Sequence, residues 1–99
     1  MQLLGLLKLE NFKQKHAAAR GPLDAWRADI ETAQWNGPQD VKRRHATASF
    51  LADNRIIFNI KGNAYRLVVK VRYQNGIVVI VWTGTHAEYS KLDFSERRK

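Results

Sequence analysis

The chain contains no cysteine, which excludes disulfide bridges and thiolate zinc sites. It also lacks a long apolar run, since no stretch approaches the roughly 20 residues that a membrane-spanning helix needs. The apolar start, Met1–Leu9, is interrupted by Lys8 and has no basic segment before it, so we expect no signal peptide. These absences favour a protein of the reducing cytoplasm with no membrane partner.

Acidic residues are scarce in the second half of the chain. Between residues 41 and 87, Asp53 is the only acid, against eight cations. Those cations are Lys42, Arg43, Arg44, Arg55, Lys61, Arg66, Lys70 and Arg72. This imbalance predicts a nucleic-acid binder, although an anionic membrane or an acidic protein would respond to the same field.

Several familiar catalytic patterns are also absent. There is no Walker-type glycine loop and no Ser–His–Asp order, and His16, His45 and His86 have neither ligand spacing nor carboxylate companions. We therefore predict no metal and no cofactor. An enzyme built from His, Tyr, Lys and Arg suits RNA cleavage, because the substrate's 2′-hydroxyl is the nucleophile. The protein then supplies cations and one group that moves a proton near neutral pH.

What is present indicates one globular domain over residues 1–99. The apolar fraction of 44% is enough for one modest core, and the basic tail Ser95–Lys99 is expected to be frayed. Helical patterns come first and strand patterns follow. This order predicts an α+β fold, in which an antiparallel β-sheet packs against N-terminal helices and a short helix follows.

Three helices are predicted in the first half: Lys8–Ala19, Pro22–Gln34 and Pro38–Arg44. Residues 2–6 fit either a short strand or a first helical turn. Arg20-Gly21-Pro22 should separate the first two helices. Trp26 and Trp35 are expected in the core. The run Lys42-Arg43-Arg44-His45 fits a solvated helix end or a corner that contacts phosphate.

The segment from Arg55 to Tyr73 predicts a β-hairpin, with a turn at Lys61-Gly62-Asn63. A brief strand at Ser49–Leu51 is expected before it. Side chains alternate between the two faces of a strand, so an apolar face is backed by a polar one. The polar face contains Arg55, Asn59, Lys61, Arg66, Lys70 and Arg72. It fits either a solvated outer surface or a groove for a polyanion.

The last strand is predicted at Ile77–Trp82, after the turn signal Asn75-Gly76. Its nearly continuous apolar sequence indicates the best-buried strand. Thr83-Gly84-Thr85 should leave the sheet, and Thr85 can cap a final helix.

His86 lies where this strand gives way to the helix, and Tyr89 follows one helical turn later. The two are candidates for proton transfer, while an ordinary structural histidine is the alternative.

Two motifs carry a family resemblance. FNIKGNAYRL runs from Phe58 to Leu67, and THAEY runs from Thr85 to Tyr89. Together they resemble the HigB-type toxins of bacterial toxin–antitoxin pairs, a branch of the RelE superfamily. The resemblance implies a small RelE-like α+β domain that cleaves messenger RNA in the ribosomal A site and stops translation. It also implies a cognate helix-turn-helix antitoxin of the HigA type.

The resemblance also assigns residues. Arg66 corresponds to the arginine that contacts the scissile phosphate. Asn59 and Lys61 stand where the superfamily uses basic residues on the preceding strand, so one of the two is no longer a cation. His86 replaces a basic residue at the end of the last strand, and Tyr89 is the counterpart of the terminal catalytic tyrosine.

Around these catalytic candidates, we expect three cations to hold the RNA backbone: Lys61, Lys70 and Arg72. Asn59 and Asn63 are candidates for hydrogen bonds to a base or a phosphate, although Asn63 also fits a plain turn residue. The alternative function is a noncatalytic module that binds RNA, the ribosome or the antitoxin.

Overall fold

The computed structural model describes residues 1–91. The helices are α1 (Leu6–Lys15), α2 (Arg20–Thr32), α3 (Pro38–Arg44) and α4 (His86–Ser90), with a 3₁₀ turn at Ala17–Ala19. The strands are β1 (Gln2–Leu4), β2 (Ser49–Leu51), β3 (Arg55–Ile60), β4 (Tyr65–Arg72) and β5 (Ile77–Thr85). The predicted α+β class and the short helix after the last strand are confirmed. The predicted frayed tail lies outside the described residues.

The strands form one five-stranded sheet in the order β1-β5-β4-β3-β2. The pairs β2–β3, β3–β4 and β4–β5 are antiparallel, as predicted. Strand β1 adds a parallel edge beside Ile77–Val79, which makes the sheet mixed. Parallel neighbours need a long connection between them. Here the helices and three other strands separate β1 from β5 along the chain.

Helices α1, α2 and α3 cover one face of the sheet, and the core lies between them. The core side chains of β3 and β4 are alternate residues, as the hairpin pattern predicts, and β5 adds two more. Together they are Ile56, Phe58, Ile60, Leu67, Val69, Val71, Val78 and Ile80. The opposite face is therefore the face that carries the predicted row of cations.

The predicted core role of the two tryptophans is confirmed, since Trp26 and Trp35 are 4% and 5% exposed. Both rings pack on Phe58 of β3, with centroid separations of 5.4 and 6.4 Å. The ring of His45 joins them at 5.0 Å from Phe58. This aromatic cluster fixes α2 and the end of α3 against the sheet.

Several boundaries differ from the sequence prediction. Helix α1 spans Leu6–Lys15 rather than Lys8–Ala19, and α2 ends at Thr32 rather than Gln34. Helix α2 begins at Arg20, and the predicted break lies instead at the 3₁₀ turn before it. Pro22 is tolerated because backbone N–H groups in the first helical turn have no intrahelical partner. Strand β5 continues to Thr85 rather than ending at Trp82, because Thr83 and Thr85 pair with Leu67 and Tyr65 of β4.

The register between β4 and β5 slips once. Val68 pairs with Trp82 and Val69 pairs with Ile80, so Val81 is the extra residue of a β-bulge. A β-bulge changes the direction in which the side chains after it point. Here the residues after the bulge, 82–85, lead into α4. Among residues 1–91, no helix is both long and apolar enough to cross a bilayer.

Candidate functional site

Cross-strand pairing arranges the face opposite the helices in rows, each with one residue from β3, β4 and β5. The first row is Asn59, Arg66 and Gly84; the second is Ile57, Val68 and Trp82; the third is Arg55, Lys70 and Val79. Arg72 lies one step beyond, opposite Ile77. Two polar rows are thus separated by an apolar row, and the first row lies at the end of the sheet that joins α4.

Because Gly84 has no side chain, the ring of Trp82 from the second row can lie over the first row. A Cβ atom added at Gly84 would lie 2.5 Å from two carbons of the Trp82 ring and 2.7 Å from Glu88 Oε1. Side chains cannot approach so closely without moving. The indole of Trp82 therefore lies against the backbone of Gly84, directly across from Arg66.

The Tyr89 ring connects Trp82 to Arg66. Its centroid is 6.0 Å from that of Trp82 and 4.8 Å from the Arg66 guanidinium carbon. The second distance is within the range of a cation–π contact, which holds a guanidinium near the face of an aromatic ring. Arg66 and Tyr89, both predicted as catalytic, are thus in direct contact.

The start of α4 is fixed by the predicted capping box. Glu88 N donates to Thr85 Oγ1 at 3.1 Å, and Thr85 N donates to Glu88 Oε1 at 2.8 Å. These bonds satisfy two backbone donors at the helix start. They also engage the carboxylate of Glu88, the one acid of α4.

His86 is the first residue of α4, and its side chain is exposed. Its backbone N donates to Ala64 O at 3.0 Å, which ties the helix start to the hairpin turn before β4. His86 and Arg66 therefore lie at the same end of the sheet. Within residues 1–91, no hydrogen bond, ion pair or ring contact involves the imidazole.

The hairpin turn brings two more predicted residues to this end. Lys61 and Asn63 are both exposed in the turn that joins β3 to β4. Lys61 has a φ of 52° and Gly62 a φ of 63°, the left-handed conformation that tight hairpin turns use. Asn63 does not have a positive φ, so the turn itself does not require an asparagine there.

Asn59 is half-buried beside Arg66. Its Nδ2 donates to Thr47 O at 3.3 Å, which anchors the loop before β2 to β3. Its Oδ1 is buried and has no hydrogen-bond partner. Asn59 therefore has a structural bond on one side and an unused acceptor on the other.

Ion pairs are segregated away from this face. All the ion pairs within residues 1–91 join side chains of α1, α2 and α3. None involves the cations of the hairpin, which are Arg55, Lys61, Arg66, Lys70 and Arg72. Four cations of the helices are therefore paired with carboxylates, whereas those of the hairpin are not.

The basic end of α3 differs from the sheet face, because its cations have partners within the protein. Arg44 pairs with Asp29 at 2.8 Å, and Arg43 pairs with Asp40 at 3.3 Å. Lys42 donates to Ala48 O at 2.9 Å. The hydrogen bond from Arg44 holds the pKa of the Asp29 carboxyl below its ordinary value. This corner is occupied by internal contacts.

The third row contains a residue that sequence reasoning placed on the face but not in the site. Arg55 is half-buried and pairs directly with Lys70 across β3 and β4. Its Nε donates to Ala52 O at 3.2 Å, and its Nη2 is buried without a partner. The alternation of the hairpin pattern gave its face, but only the strand register shows its neighbour.

Trp82 and Gly84 were also missed as members of the site. The sequence pattern assigned Trp82 to a strand buried on both faces and Gly84 to a chain that had left the sheet. The β-bulge at Val81 and the extension of β5 to Thr85 change both assignments. No periodic pattern in the sequence signals a bulge.

Metal ligands are not grouped in the described part of the chain, where no cluster of three or more His, Asp or Glu side chains could hold an ion. The arrangement instead offers cations, an exposed imidazole and a phenol ring at one end of a positively charged sheet. These groups can stabilise an anion and transfer a proton.

Comparison with known proteins identifies the family. No curated protein matches the chain. A family model described as HigB_toxin, the RelE-like toxic component of a toxin–antitoxin system, matches residues 19–92. This range includes α2, α3, the strands β2 to β5 and both predicted motifs, and it covers well over half of the 99 residues. The chain therefore belongs to the HigB family of RelE-like toxins and is the toxic component of a toxin–antitoxin system.

Proposed function

We propose that this toxin is a metal-independent endoribonuclease that cleaves translated messenger RNA in the ribosomal A site. The main support for the proposal is the first row of the sheet face, together with its neighbours in α4. It combines Arg66, held by the Tyr89 ring at 4.8 Å, with an exposed His86 at the same end of the sheet. This set can stabilise a phosphorane and move a proton without a protein nucleophile.

Arg66 is proposed to stabilise the pentacoordinate phosphate. Its Nε is buried and has no hydrogen-bond partner, and no ion pair within residues 1–91 neutralises its charge. A guanidinium presents several donors in one plane, which suits phosphate oxygens. Because its position is fixed before the substrate arrives, little reorganisation is needed when negative charge develops.

His86 is proposed to move a proton in the cleavage step. The 2′-hydroxyl oxygen attacks phosphorus and loses its proton, while the bond from phosphorus to the 5′-oxygen breaks and that oxygen gains a proton. An imidazole can serve either transfer near neutral pH. The products are a 2′,3′-cyclic phosphate and a 5′-hydroxyl end.

Tyr89 is proposed to assist by holding Arg66. The ring contact places it beside the guanidinium, and its position in α4 is fixed by the Thr85–Glu88 capping box. Its hydroxyl is a second candidate for proton transfer. The separate effects of ring and hydroxyl are therefore a direct test of its role.

The remaining predicted residues are proposed to hold the RNA. Lys61 and Asn63 lie in the hairpin turn, at the same end of the sheet as Arg66 and His86. Lys70 and Arg72 lie farther along β4, away from that end. Asn59 offers its unused Oδ1 beside Arg66. Binding of a polyanion to such cations is governed by counterion release and weakens steeply with salt.

A toxin of a toxin–antitoxin system has an antitoxin partner. We propose that this antitoxin is a helix-turn-helix protein of the HigA type, and that the toxin acts on cytoplasmic ribosomes. The unneutralised cations of the sheet face would attract both ribosomal RNA and an acidic antitoxin segment.

Expression in growing cells tests the proposal. Cells that express the parent toxin without antitoxin should stop growing, and primer extension should show new ends within translated messages. His86→Ala should lower the cleavage rate by about 10²- to 10⁴-fold, and Arg66→Ala by about 10²- to 10³-fold. Arg20→Ala, which removes an exposed cation of α2, is the matched control.

Two outcomes separate this proposal from its alternative. Growth arrest without cleaved messages would indicate a noncatalytic module that binds the ribosome or RNA. Full toxicity of both His86→Ala and Arg66→Ala would overturn the catalytic assignment.

A further inference from the structure

We infer that Arg55 and Lys70 form a second anion-binding subsite, which binds a backbone phosphate of the RNA away from the scissile one. The ligand class, single-stranded RNA, rests on the proposed function. The subsite itself rests on the register and contacts of the third row.

The first observation is the pairing of two like charges. Arg55 and Lys70 are direct cross-strand neighbours in the β3–β4 ladder, and like charges in such a pair oppose folding. No carboxylate within residues 1–91 forms an ion pair with either of them. An anion placed between the two side chains would turn this repulsion into attraction.

The second observation is the unsatisfied guanidinium of Arg55. Its Nε donates to Ala52 O, which fixes the side chain against the loop before β3. Its Nη2 is buried without a partner, and a buried donor without a partner has a free-energy cost. The half-buried side chain is thus anchored without a counter-charge. A guanidinium donates strongly to phosphate oxygens, and Lys70 lies across the strand to complete the site.

The third observation is the distance between this subsite and the first row, which contains Arg66. Lys70 lies four residues beyond Arg66 on β4, which places the two rows about 13 Å apart on a strand that rises roughly 3.3 Å per residue. The apolar pair Ile57 and Val68 lies between them. A dinucleotide, with one bridging phosphate, cannot occupy both rows, whereas a longer strand can.

This spacing also predicts a direction for the RNA. The anion sites at Arg66 and at Arg55–Lys70 lie along β4, and Arg72 extends the same line at the strand's end. A single strand bound to them would follow β4 away from α4. A line of cations that tracks the backbone is one means by which proteins hold single-stranded nucleic acid.

Oligonucleotide binding tests the subsite without requiring cleavage. The probe is a series of fluorescent, uncleavable 2′-O-methyl oligouridylates of increasing length, and polarisation is measured at several salt concentrations. Arg55→Gln and Lys70→Gln should each lower the slope of log affinity against log salt by about 0.7, the value for one lost contact on a single strand. The loss should be confined to oligonucleotides longer than a dinucleotide.

Arg20→Gln is the matched control, since it removes the same charge from an exposed side chain of α2 that donates to Lys13 O. Thermal melting verifies that each variant is folded. If Arg55→Gln fails to fold, Lys70→Gln decides the question, because no hydrogen bond or ion pair involves the Lys70 side chain within residues 1–91.

The outcomes are distinct from those of the cleavage experiment. The inference is overturned if neither variant changes the slope, if the Arg20→Gln control lowers it equally, or if the parent binds no oligouridylate. It is also overturned if an acidic peptide competes and shows the same length dependence. A lowered slope combined with the absence of cleaved messages in cells would support the subsite and reject the proposed nuclease.

Discussion

The guanidinium carbon of Arg66 lies 4.8 Å from the centre of the Tyr89 ring. This contact joins the middle strand of the sheet to α4, and both residues belong to the motifs that define the family resemblance. It gives Tyr89 a role that depends on its ring, in addition to any role of its hydroxyl. The distinction can be measured.

Substitutions of Tyr89 should separate the ring from the hydroxyl. We expect Tyr89→Phe to keep cleavage within a few fold of the parent, since a phenylalanine ring also attracts a guanidinium by about 0.5–1 kcal/mol or more. Tyr89→Ala should lose much more, because Arg66 is then no longer held. Rates of ribosome-dependent cleavage of a defined message are the measurement. A Tyr89→Phe variant as inactive as Tyr89→Ala would assign the main role to the hydroxyl.

A methyl group at Gly84 should disturb the same site. We expect Gly84→Ala to destabilise the fold by about 1–3 kcal/mol, because the added carbon would lie 2.5 Å from the Trp82 ring. Urea unfolding followed by circular dichroism measures this change. Gly21→Ala is the control, since a Cβ added there would meet nothing within 4 Å outside its chain neighbours and its own helix, and it should change the free energy of unfolding much less. Equal effects of the two substitutions would contradict the assigned contact.

Removing one charge of the third row should stabilise the free protein. Lys70→Thr relieves the repulsion with Arg55 across the strands and supplies a side chain that favours strands. We expect a gain of roughly 0.2–1 kcal/mol in the free energy of unfolding, measured by urea denaturation at low salt. Salt should shrink the gain, because it screens exposed charges. A loss of stability would show that Lys70 supports the fold.

His45 should make the free energy of unfolding depend on pH. Burial among aromatic rings lowers the pKa of His45 below its ordinary value near 6.5, and the Arg44 charge contributes in the same direction while Asp29 opposes it. The unfolded chain therefore binds a proton more readily than the folded one. The stabilisation linked to neutral His45 should be fully present above about pH 6.5. The free energy of unfolding should decrease as the pH falls toward the pKa of His45 in the folded protein.

Urea unfolding at several pH values between neutral and mildly acidic conditions measures this dependence. His45→Phe, which keeps a ring beside Phe58 and removes the titrating group, should flatten the curve in this range. A parent protein whose stability is constant over this range would contradict the assignment to His45.

Much of the fold could be predicted from local sequence signals. The ends of α3, β2 and β3, the capping box at Thr85 and the core positions of Trp26 and Trp35 agree with the structure. These features depend on turn residues, helix caps and alternation, which act over a few neighbouring residues. The sequence pattern itself proposed His86 and Tyr89 for proton transfer, and the family resemblance assigned Arg66 to the scissile phosphate; these catalytic roles stay predictions.

Other features could not be predicted, because they depend on contacts between distant segments. The parallel pairing of β1 with β5 requires the helices to return the chain to the sheet. The contact of Trp82 with Gly84 requires a β-bulge at Val81. Hydrophobic burial drives these arrangements and is non-directional, so a local pattern does not specify them.

The charge of this protein, its class of fold and the face on which its cations lie can be read from the amino acids alone, because alternation along a strand and the absence of nearby acids are local properties. Which cations face each other, and which are paired with a carboxylate, depends on the folded chain. Arg44 is paired with Asp29 from another helix, whereas Arg55 lies opposite Lys70. Strand register and helix packing bring together residues far apart in the chain, and the sign of each neighbour decides whether a charge is compensated within the protein.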